Sequence, residues 1–231
     1  MKQHSESQLP SCVAIIVAAG SSRRMGFDKL AAPLLGKPVL RRTLEAFLAA
    51  ETIRSIVVVC PEERWPLLGP PDSGKPVTRS DGGANRQDSV AMGLRAIQGA
   101  PDFIAVHDAA RPLVSPADID RAVTEAFSQQ AVSLARRVTE TVKRSDDLNL
   151  CLESVSRENL WLMETPQVFE RVLLENACRH VAEHGITVTD EVSALETIGI
   201  RTRFVESTSP NIKITTPADL AWAEALWTSK P

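Results

Sequence analysis

The chain has 231 residues and a formal net charge of −3, with 26 Lys and Arg against 29 Asp and Glu. Hydrophobic residues make up 43% and charged residues 24%, ordinary for a soluble globular protein long enough to bury a substantial core in one large domain or two small ones. The near-balanced charge and the scarcity of aromatics, with no Tyr, argue against a nucleic-acid surface, while a small anion in a local basic pocket stays open.

Residues 1–11 are polar and read as a flexible tail. The apolar run that follows, Val13-Ala14-Ile15-Ile16-Val17, is too short for a membrane span and leads straight into a basic loop. It reads as a first strand buried on both faces rather than a signal segment. The loop passes through Ala18-Ala19-Gly20-Ser21-Ser22 to Arg23, Arg24 and Lys29. Small residues let backbone N–H groups approach an anion, and the cations match phosphate oxygens. A strand-to-loop turn with solvated cations has the same composition, and the stretch is neither a Walker loop nor a dinucleotide fingerprint. Taken alone, it does not choose between cradle and turn.

Leu40, Leu44, Phe47 and Leu48 then share one face of a helix, with Arg41, Arg42 and Glu45 on the other. Ile56-Val57-Val58-Val59-Cys60 predicts a second buried strand, and the Pro- and Gly-rich residues 61–76 predict a loop with at most a turn of helix. A short strand over 76–79 runs into Asp81-Gly82-Gly83, followed by a helix carrying Val90, Leu94 and Ile97. A third strand, Phe103-Ile104-Ala105-Val106, stops at His107-Asp108-Ala109-Ala110-Arg111-Pro112. Ser115-Pro116-Ala117-Asp118 then supplies an N-cap, a first-turn proline and an acidic third position for a helix to about Phe127.

This alternation predicts an α/β fold, a Rossmann-like, mainly parallel sheet flanked by helices. Ligands of such sheets sit at the carboxyl ends of the strands, where the basic loop, the Gly82-Gly83 turn and Asp108 all fall.

From Ala131 the rhythm changes. Val132-Ser133-Leu134-Ala135 is strand-like, and residues 137–157 alternate charged and apolar around a turn at Ser145-Asp146-Asp147. They predict an extended β-hairpin arm on a single domain over 12–231, too poor in apolar surface to stand alone and suited to pack on a second copy of the chain. The chain returns through Glu164-Thr165-Pro166-Gln167 to a helix over 170–184 and a shorter one opened by Thr189-Asp190-Glu191. A strand over 200–206 and a last helix opened by Thr216-Pro217-Ala218-Asp219 complete it. His180 and His184 stand one helical turn apart without a third ligand, which favours a solvated helix face over a metal site. Trp161, Trp222 and Trp227 read as core or interface. Cys12, Cys60, Cys151 and Cys178 form no C-x-x-C pair and read as reduced, small buried hydrophobes, and the expected location is cytoplasmic.

In order and approximate spacing, AAGSSRRMGFDK, DGGANRQDSV, HDAARP, ETVKR, ETPQ, TDE and NIKIT resemble the motifs of 2-C-methyl-D-erythritol 4-phosphate cytidylyltransferases, and the resemblance covers nearly the whole chain. It implies transfer of CMP from CTP to 2-C-methyl-D-erythritol 4-phosphate with release of pyrophosphate, in the non-mevalonate route to isoprenoids. By resemblance, Arg24 and Lys29 neutralise the triphosphate and stabilise the transition state. Arg157 and Lys213 hold the methylerythritol phosphate, with Thr189 assisting and Thr141 lining the same region. Ala18, Ala19 and Gly20 bind substrate through the opening loop, Gly82, Gly83 and Ser89 surround cytosine and ribose, Asp108 lies near ribose and metal, and Arg111 organises that loop. The resemblance also implies Mg²⁺, held largely by triphosphate oxygens, and a homodimer formed through the arm, with no nucleic-acid or membrane partner. Ala84 stands where the family is often acidic, so no side-chain contact to the base carries over there. The alternatives are CMP transfer to another polyol phosphate, such as ribitol 5-phosphate, and a non-catalytic nucleotide-binding regulator. A regulator should lack one or more of the cations Arg24, Lys29, Arg157 and Lys213, all of which are present.

Overall fold

A computed structural model describes residues 10–20, 26–70 and 74–228. The chain begins with β1 (Cys12–Val17), the short pair β2 (Pro33–Leu34) and β3 (Lys37–Pro38), then α1 (Val39–Ala49) and β4 (Ile53–Val59). A 3-10 helix (Glu62–Leu68) leads to β5 (Val77–Ser80), α2 (Arg86–Ala96), β6 (Phe103–Asp108) and α3 (Pro116–Gln129). Next come β7 (Ala131–Arg137), the arm strands β8 (Val142–Ser145) and β9 (Cys151–Val155), and the long β10 (Trp161–Glu170). The chain closes with α4 (Arg171–Glu183), α5 (Glu191–Glu196), β11 (Arg203–Glu206) and α6 (Pro217–Thr228).

Seven strands form one sheet in the order β11-β7-β10-β6-β1-β4-β5. β1 lies parallel between β4 and β6, β5 is parallel to β4, and β11 is parallel to β7. β10 alone among these runs antiparallel, to both β6 and β7. Val17 stands opposite Val59 on one side and Asp108 on the other, so three central strands end level with one another. Their carboxyl ends form the floor on which the site is built.

The central strands are apolar on both faces because each face is covered. Ala14, Ile16, Ile56 and Val58 pack with Leu40, Leu44 and Phe47 of α1 and Ile119 and Val123 of α3. On the opposite face Ile15, Val57, Val59, Ile104 and Val106 pack with Val90 of α2, Leu174 and Val181 of α4 and Leu195 of α5. A fully buried side chain of this kind contributes about 1.5–3 kcal/mol, so the three-strand centre concentrates much of the stabilising burial. Gly93 lets α2 lie close on this face, since a Cβ there would meet Ile15 Cγ2 at 2.7 Å and Val59 Cγ2 at 2.9 Å.

Several details differ from expectation. Arg41 is buried rather than on the solvated face of α1, because its guanidinium donates to the carbonyls of Leu68 and Pro70 and pairs with Glu45. The segment 61–76 contains a seven-residue 3-10 helix instead of a single turn, closed by Gly69, whose N–H donates to Pro66 O at 3.2 Å. The ETPQ segment is part of a ten-residue strand, β10, and not merely a return. In the arm, the turn is centred on 146–150, where Asp146 Oδ1 accepts from the N–H groups of Leu148 and Leu150 at 3.0 and 2.9 Å. Cys151 is exposed on that arm, Cys178 is half-buried, and Cys12 and Cys60 are the buried pair of free thiols. Trp222 is 65% exposed, whereas Trp161 and Trp227 are half-buried, beneath Arg137 and Arg42 respectively. The tail expected over 1–11 lies, for residues 1–9, outside the described residues. Among the described residues, no helix is long and apolar enough to cross a membrane.

Candidate active site

A cavity of about 380 Å³ opens at the level carboxyl ends of β1 and β6. Its walls come from residues 17–20 after β1, Lys29 and Leu30 from the basic loop, Gly83, Arg86 and Ser89 around the start of α2, Asp108 at the end of β6, and Lys213. A second cavity of about 320 Å³ adjoins it, lined by Arg111, Glu164, Thr165, Gln167, Thr189 and Asp190 among others. Arg86, Asp108 and Lys213 line both. The partition between the two chambers is therefore made of charged side chains.

The loops around the first chamber are fastened by hydrogen bonds and an ion pair. Arg64 on the 3-10 helix donates to Ala18 O at 2.5 Å and pairs with Asp28 at 2.7 Å, tying the two ends of the basic loop together. Asn85 caps α2 by accepting from the Asp88 N–H at 2.9 Å. Ser89 Oγ accepts from the Gly83 N–H at 3.1 Å and donates to Asn85 O at 2.8 Å, so its hydroxyl shapes the glycine turn. The glycines are there for packing: a Cβ on Gly82 would lie 2.2 Å from Ala19 Cβ, and one on Gly83 would lie 2.2 Å from Asp88 Cβ. Gly82 thus sits behind Ala19, and Gly83 reaches the cavity wall.

The turn after β6 is held by a buried histidine. His107 Nε2 faces Arg111 O at 3.2 Å, which only accepts, so Nε2 carries the proton and Nδ1 accepts from Thr165 Oγ1 at 2.9 Å. Thr165 Oγ1 in turn accepts from the Asp108 N–H at 3.1 Å. Burial pushes the His107 imidazole down to about 3, so this chain of bonds stays neutral and its polarity does not reverse. Arg111 is anchored to Asn211 O and Met163 O at 2.8 and 3.1 Å, which places its guanidinium against the second chamber.

Asp108 is the centre of the charge arrangement. Oδ1 accepts from Arg86 Nε at 3.0 Å and Oδ2 from Lys213 Nζ at 2.7 Å. Burial alone would raise this carboxyl, but Arg86 and Lys213 outweigh it and hold Asp108 far below the usual carboxylate range. Behind it, Arg86 also bonds Glu191 with both terminal nitrogens, at 2.7 and 2.9 Å. Gln167 fixes Glu191 from the backbone side, its Oε1 accepting from the Glu191 N–H at 3.1 Å. Lys29 Nζ donates to Ile214 O at 2.9 Å, bringing the basic loop beside Lys213.

Of the residues expected at the site, Ala18, Ala19, Gly20, Lys29, Gly83, Ser89, Asp108 and Lys213 line the first chamber. Arg111 and Thr189 line the second with Asp108 and Lys213. Arg24 lies outside the described residues. Arg157 and Thr141 are exposed on the arm and line neither chamber of their own chain, and the Arg157 guanidinium donates to Thr139 O. Sequence reasoning gave no role to Arg86, Glu164, Thr165, Gln167 or Glu191. The Arg inside the DGG block and the Glu inside TDE stood within quoted motifs, but their pairing spans 105 residues. Among the described residues no group of three or more His, Cys, Asp or Glu is placed to hold a metal. Asp108 is the acidic side chain lining the first chamber.

The first chamber sets Lys29, Arg86 and Lys213 against Asp108 and so offers a place for an anionic ligand. The second sets Arg86, Arg111 and Lys213 among Asp108, Glu164, Asp190 and Glu196, with its cations concentrated where the two chambers meet. A family model described as 2-C-methyl-D-erythritol 4-phosphate cytidylyltransferase matches residues 12–229. The chain is similar to the protein of that name from Parasynechococcus marenigrum, 43% identical over 216 residues that cover 92% of this chain and 96% of that protein. It is also similar to the protein from Oryza sativa subsp. japonica whose name adds "chloroplastic", 35% identical over 224 residues covering 95% of this chain and 75% of that protein. Among solved structures, the 2-C-methyl-D-erythritol 4-phosphate cytidylyltransferase of Francisella tularensis superposes with a TM-score of 0.81 at 34% identity, over 94% of this chain and 99% of that one. With the family model and both relatives matching over nearly its whole length, the chain belongs to the 2-C-methyl-D-erythritol 4-phosphate cytidylyltransferase family.

Proposed function

We propose that this chain transfers CMP from CTP to 2-C-methyl-D-erythritol 4-phosphate, giving 4-diphosphocytidyl-2-C-methyl-D-erythritol and pyrophosphate, in the non-mevalonate route to isoprenoids. Beside family membership, the observation that carries this reading is the pair of adjoining chambers whose partition is Arg86, Asp108 and Lys213. CTP occupies the chamber of the basic loop, and the acceptor occupies the chamber of Arg111 and Thr189. An acceptor phosphate oxygen attacks the α-phosphorus, forming a new P–O–P link, while the bond from the α-phosphorus to the bridging oxygen breaks and pyrophosphate leaves with that oxygen's electron pair.

Two anions must approach each other before any bond changes, so most of the catalysis is positioning and charge neutralisation. Lys29 and Arg24 neutralise the triphosphate and the charge that grows on it as pyrophosphate departs. Lys213 holds the acceptor phosphate for attack, and Thr189 supplies a hydroxyl at the acceptor's far side. Arg157 and Thr141 act from the arm of a second copy. Leu148, Leu150 and Leu152 support such a dimer, being 77%, 63% and 61% exposed on the isolated hairpin.

Mg²⁺ belongs to this reading. Asp108 lines the first chamber, but its two oxygens already accept from Arg86 and Lys213, so the ion would be held largely by triphosphate oxygens and retained waters, with Asp108 nearby. When bound, the ion would draw negative charge from the phosphate oxygens. The reading also places the protein in the cytoplasm, supported by four cysteines that are free rather than paired.

The test is to follow the α-phosphorus of CTP by ³¹P NMR. A new diphosphate diester joined to the acceptor supports the reading, and label found only in CMP or CDP rejects it.

A further inference from the structure

Asp108 has three cationic partners: Arg111 Nε stands 3.9 Å from Oδ2, while Arg86 and Lys213 hydrogen-bond the carboxylate and are held very differently. Arg86 is locked from behind: while its Nε serves Asp108, its two terminal nitrogens run side by side to the oxygens of Glu191, which is 3% exposed. A planar fork matched to a carboxylate fixes both position and orientation. Lys213 is a compact ammonium on a flexible stem, its side chain 39% exposed, meeting Asp108 Oδ2 at the junction of the two chambers.

We propose that Arg86, pinned by Glu191, is a positioning residue that keeps Asp108 paired and in place, so that Lys213 passes from Asp108 to the acceptor phosphate at little cost. This rests on the cytidylyl-transfer reading above. Without acceptor, the ammonium of Lys213 neutralises Asp108. When the acceptor phosphate arrives, Lys213 turns to it. Were Lys213 the sole counter-ion, that move would strand a buried carboxylate, and the carboxylate would compete with the phosphate for the ammonium. Arg86 removes the penalty by staying behind. Glu191 makes it stay, because a guanidinium facing Asp108 alone would itself be drawn to the incoming anion. Acceptor affinity therefore depends on a partly buried ion pair, Arg86 with Glu191, whose nitrogens are already committed to carboxylates.

The experiment compares wild type, Arg86→Lys, Glu191→Gln and the double variant in pyrophosphate release, varying CTP and methylerythritol phosphate separately. Arg86→Lys keeps the charge and loses the fork, whereas Glu191→Gln keeps the shape and loses the pin. Each single variant should raise the KM for the acceptor at least tenfold and leave the KM for CTP within about threefold. The double variant should cost no more than the worse single, since the pair acts as one unit. Unchanged acceptor KM, parallel rises in both KM values, or multiplying effects overturn the proposal. Thermal midpoints accompany the kinetics, and if Arg86→Lys loses its fold the near-isosteric Glu191→Gln decides by the same KM split. A silent wild type would overturn the cytidylyl-transfer reading and this inference with it, whereas an active wild type with unsplit variants overturns this inference alone.

Discussion

Lys213 Nζ lies 2.7 Å from Asp108 Oδ2, joining the end of β6 to the segment before α6 across 105 residues of sequence. The contact closes the partition between the two chambers, and Lys29 reaches the same place by donating to Ile214 O. Three charged groups from distant parts of the chain thus meet at one point, where the proposed function puts the phosphate oxygens.

The first prediction concerns Lys29. In the proposed reaction its ammonium is needed most when charge grows on the departing pyrophosphate, so Lys29→Ala should lower kcat by about 10²–10³, the loss typical of one transition-state donor. Steady-state kinetics with both substrates saturating measures it, with a thermal midpoint to account for the lost bond to Ile214 O. Turnover within a fewfold of wild type would remove Lys29 from its role.

A second prediction tests the glycine turn. Gly82→Ala drives a Cβ into Ala19 Cβ and should destabilise the protein by roughly 1–3 kcal/mol, the range for overpacking. Because the obstruction is one methyl group, Ala19→Gly in the same chain should recover most of the loss. Urea unfolding of the two single variants and the double variant reports this, and strictly additive losses would mean that the methyl contact is not the cause.

A third prediction concerns pH. Asp118 is buried, yet its carboxyl is held below the ordinary range, because hydrogen bonds from Ser209 and Thr208 outweigh the upward push of burial. Its folded value lies below its unfolded one, so its contribution is fully present above the unfolded value of about 3.9 and is lost as pH falls through the folded value. Asp118→Asn should cost roughly 2 kcal/mol at pH 7, where charged hydrogen bonds are lost. It should also flatten the decline of stability below about pH 4. Equilibrium unfolding at pH 7, 4 and 3 gives both numbers, and equal slopes for variant and wild type would exclude this linkage.

A fourth prediction concerns the arm. If its residues complete the site of a second copy, an Arg157→Ala chain and a Lys29→Ala chain, each nearly inactive alone, should complement on mixing. Random exchange would restore about a quarter of wild-type sites. No recovery after verified subunit exchange would mean that each arm serves its own core or none.

What the sequence made legible follows physical lines. β1, β4 and β6 announce themselves because burial on both faces demands unbroken apolar runs. α3 does so because Ser115, Pro116 and Asp118 satisfy its first turn locally, with Ser115 Oγ accepting from the Asp118 N–H at 3.1 Å. β10 stayed hidden because Glu164, Thr165 and Pro166 interrupt its pattern, and the first two are buried polar groups that line the second chamber. Arg41 reads as a solvated charge until the carbonyls of Leu68 and Pro70 are seen above it. The same blindness applies to Arg86. A local pattern can suggest that Lys29 and Lys213 meet phosphate, but it cannot show that Arg86 is spent on Glu191, since that partner is set by how α2 and α5 pack.

The most direct measurement is pyrophosphate release from CTP and Mg²⁺, with 2-C-methyl-D-erythritol 4-phosphate and ribitol 5-phosphate supplied separately. Release with the first and not the second is the predicted result. Release only with ribitol 5-phosphate, or with neither, would contradict the assignment of this site to methylerythritol phosphate.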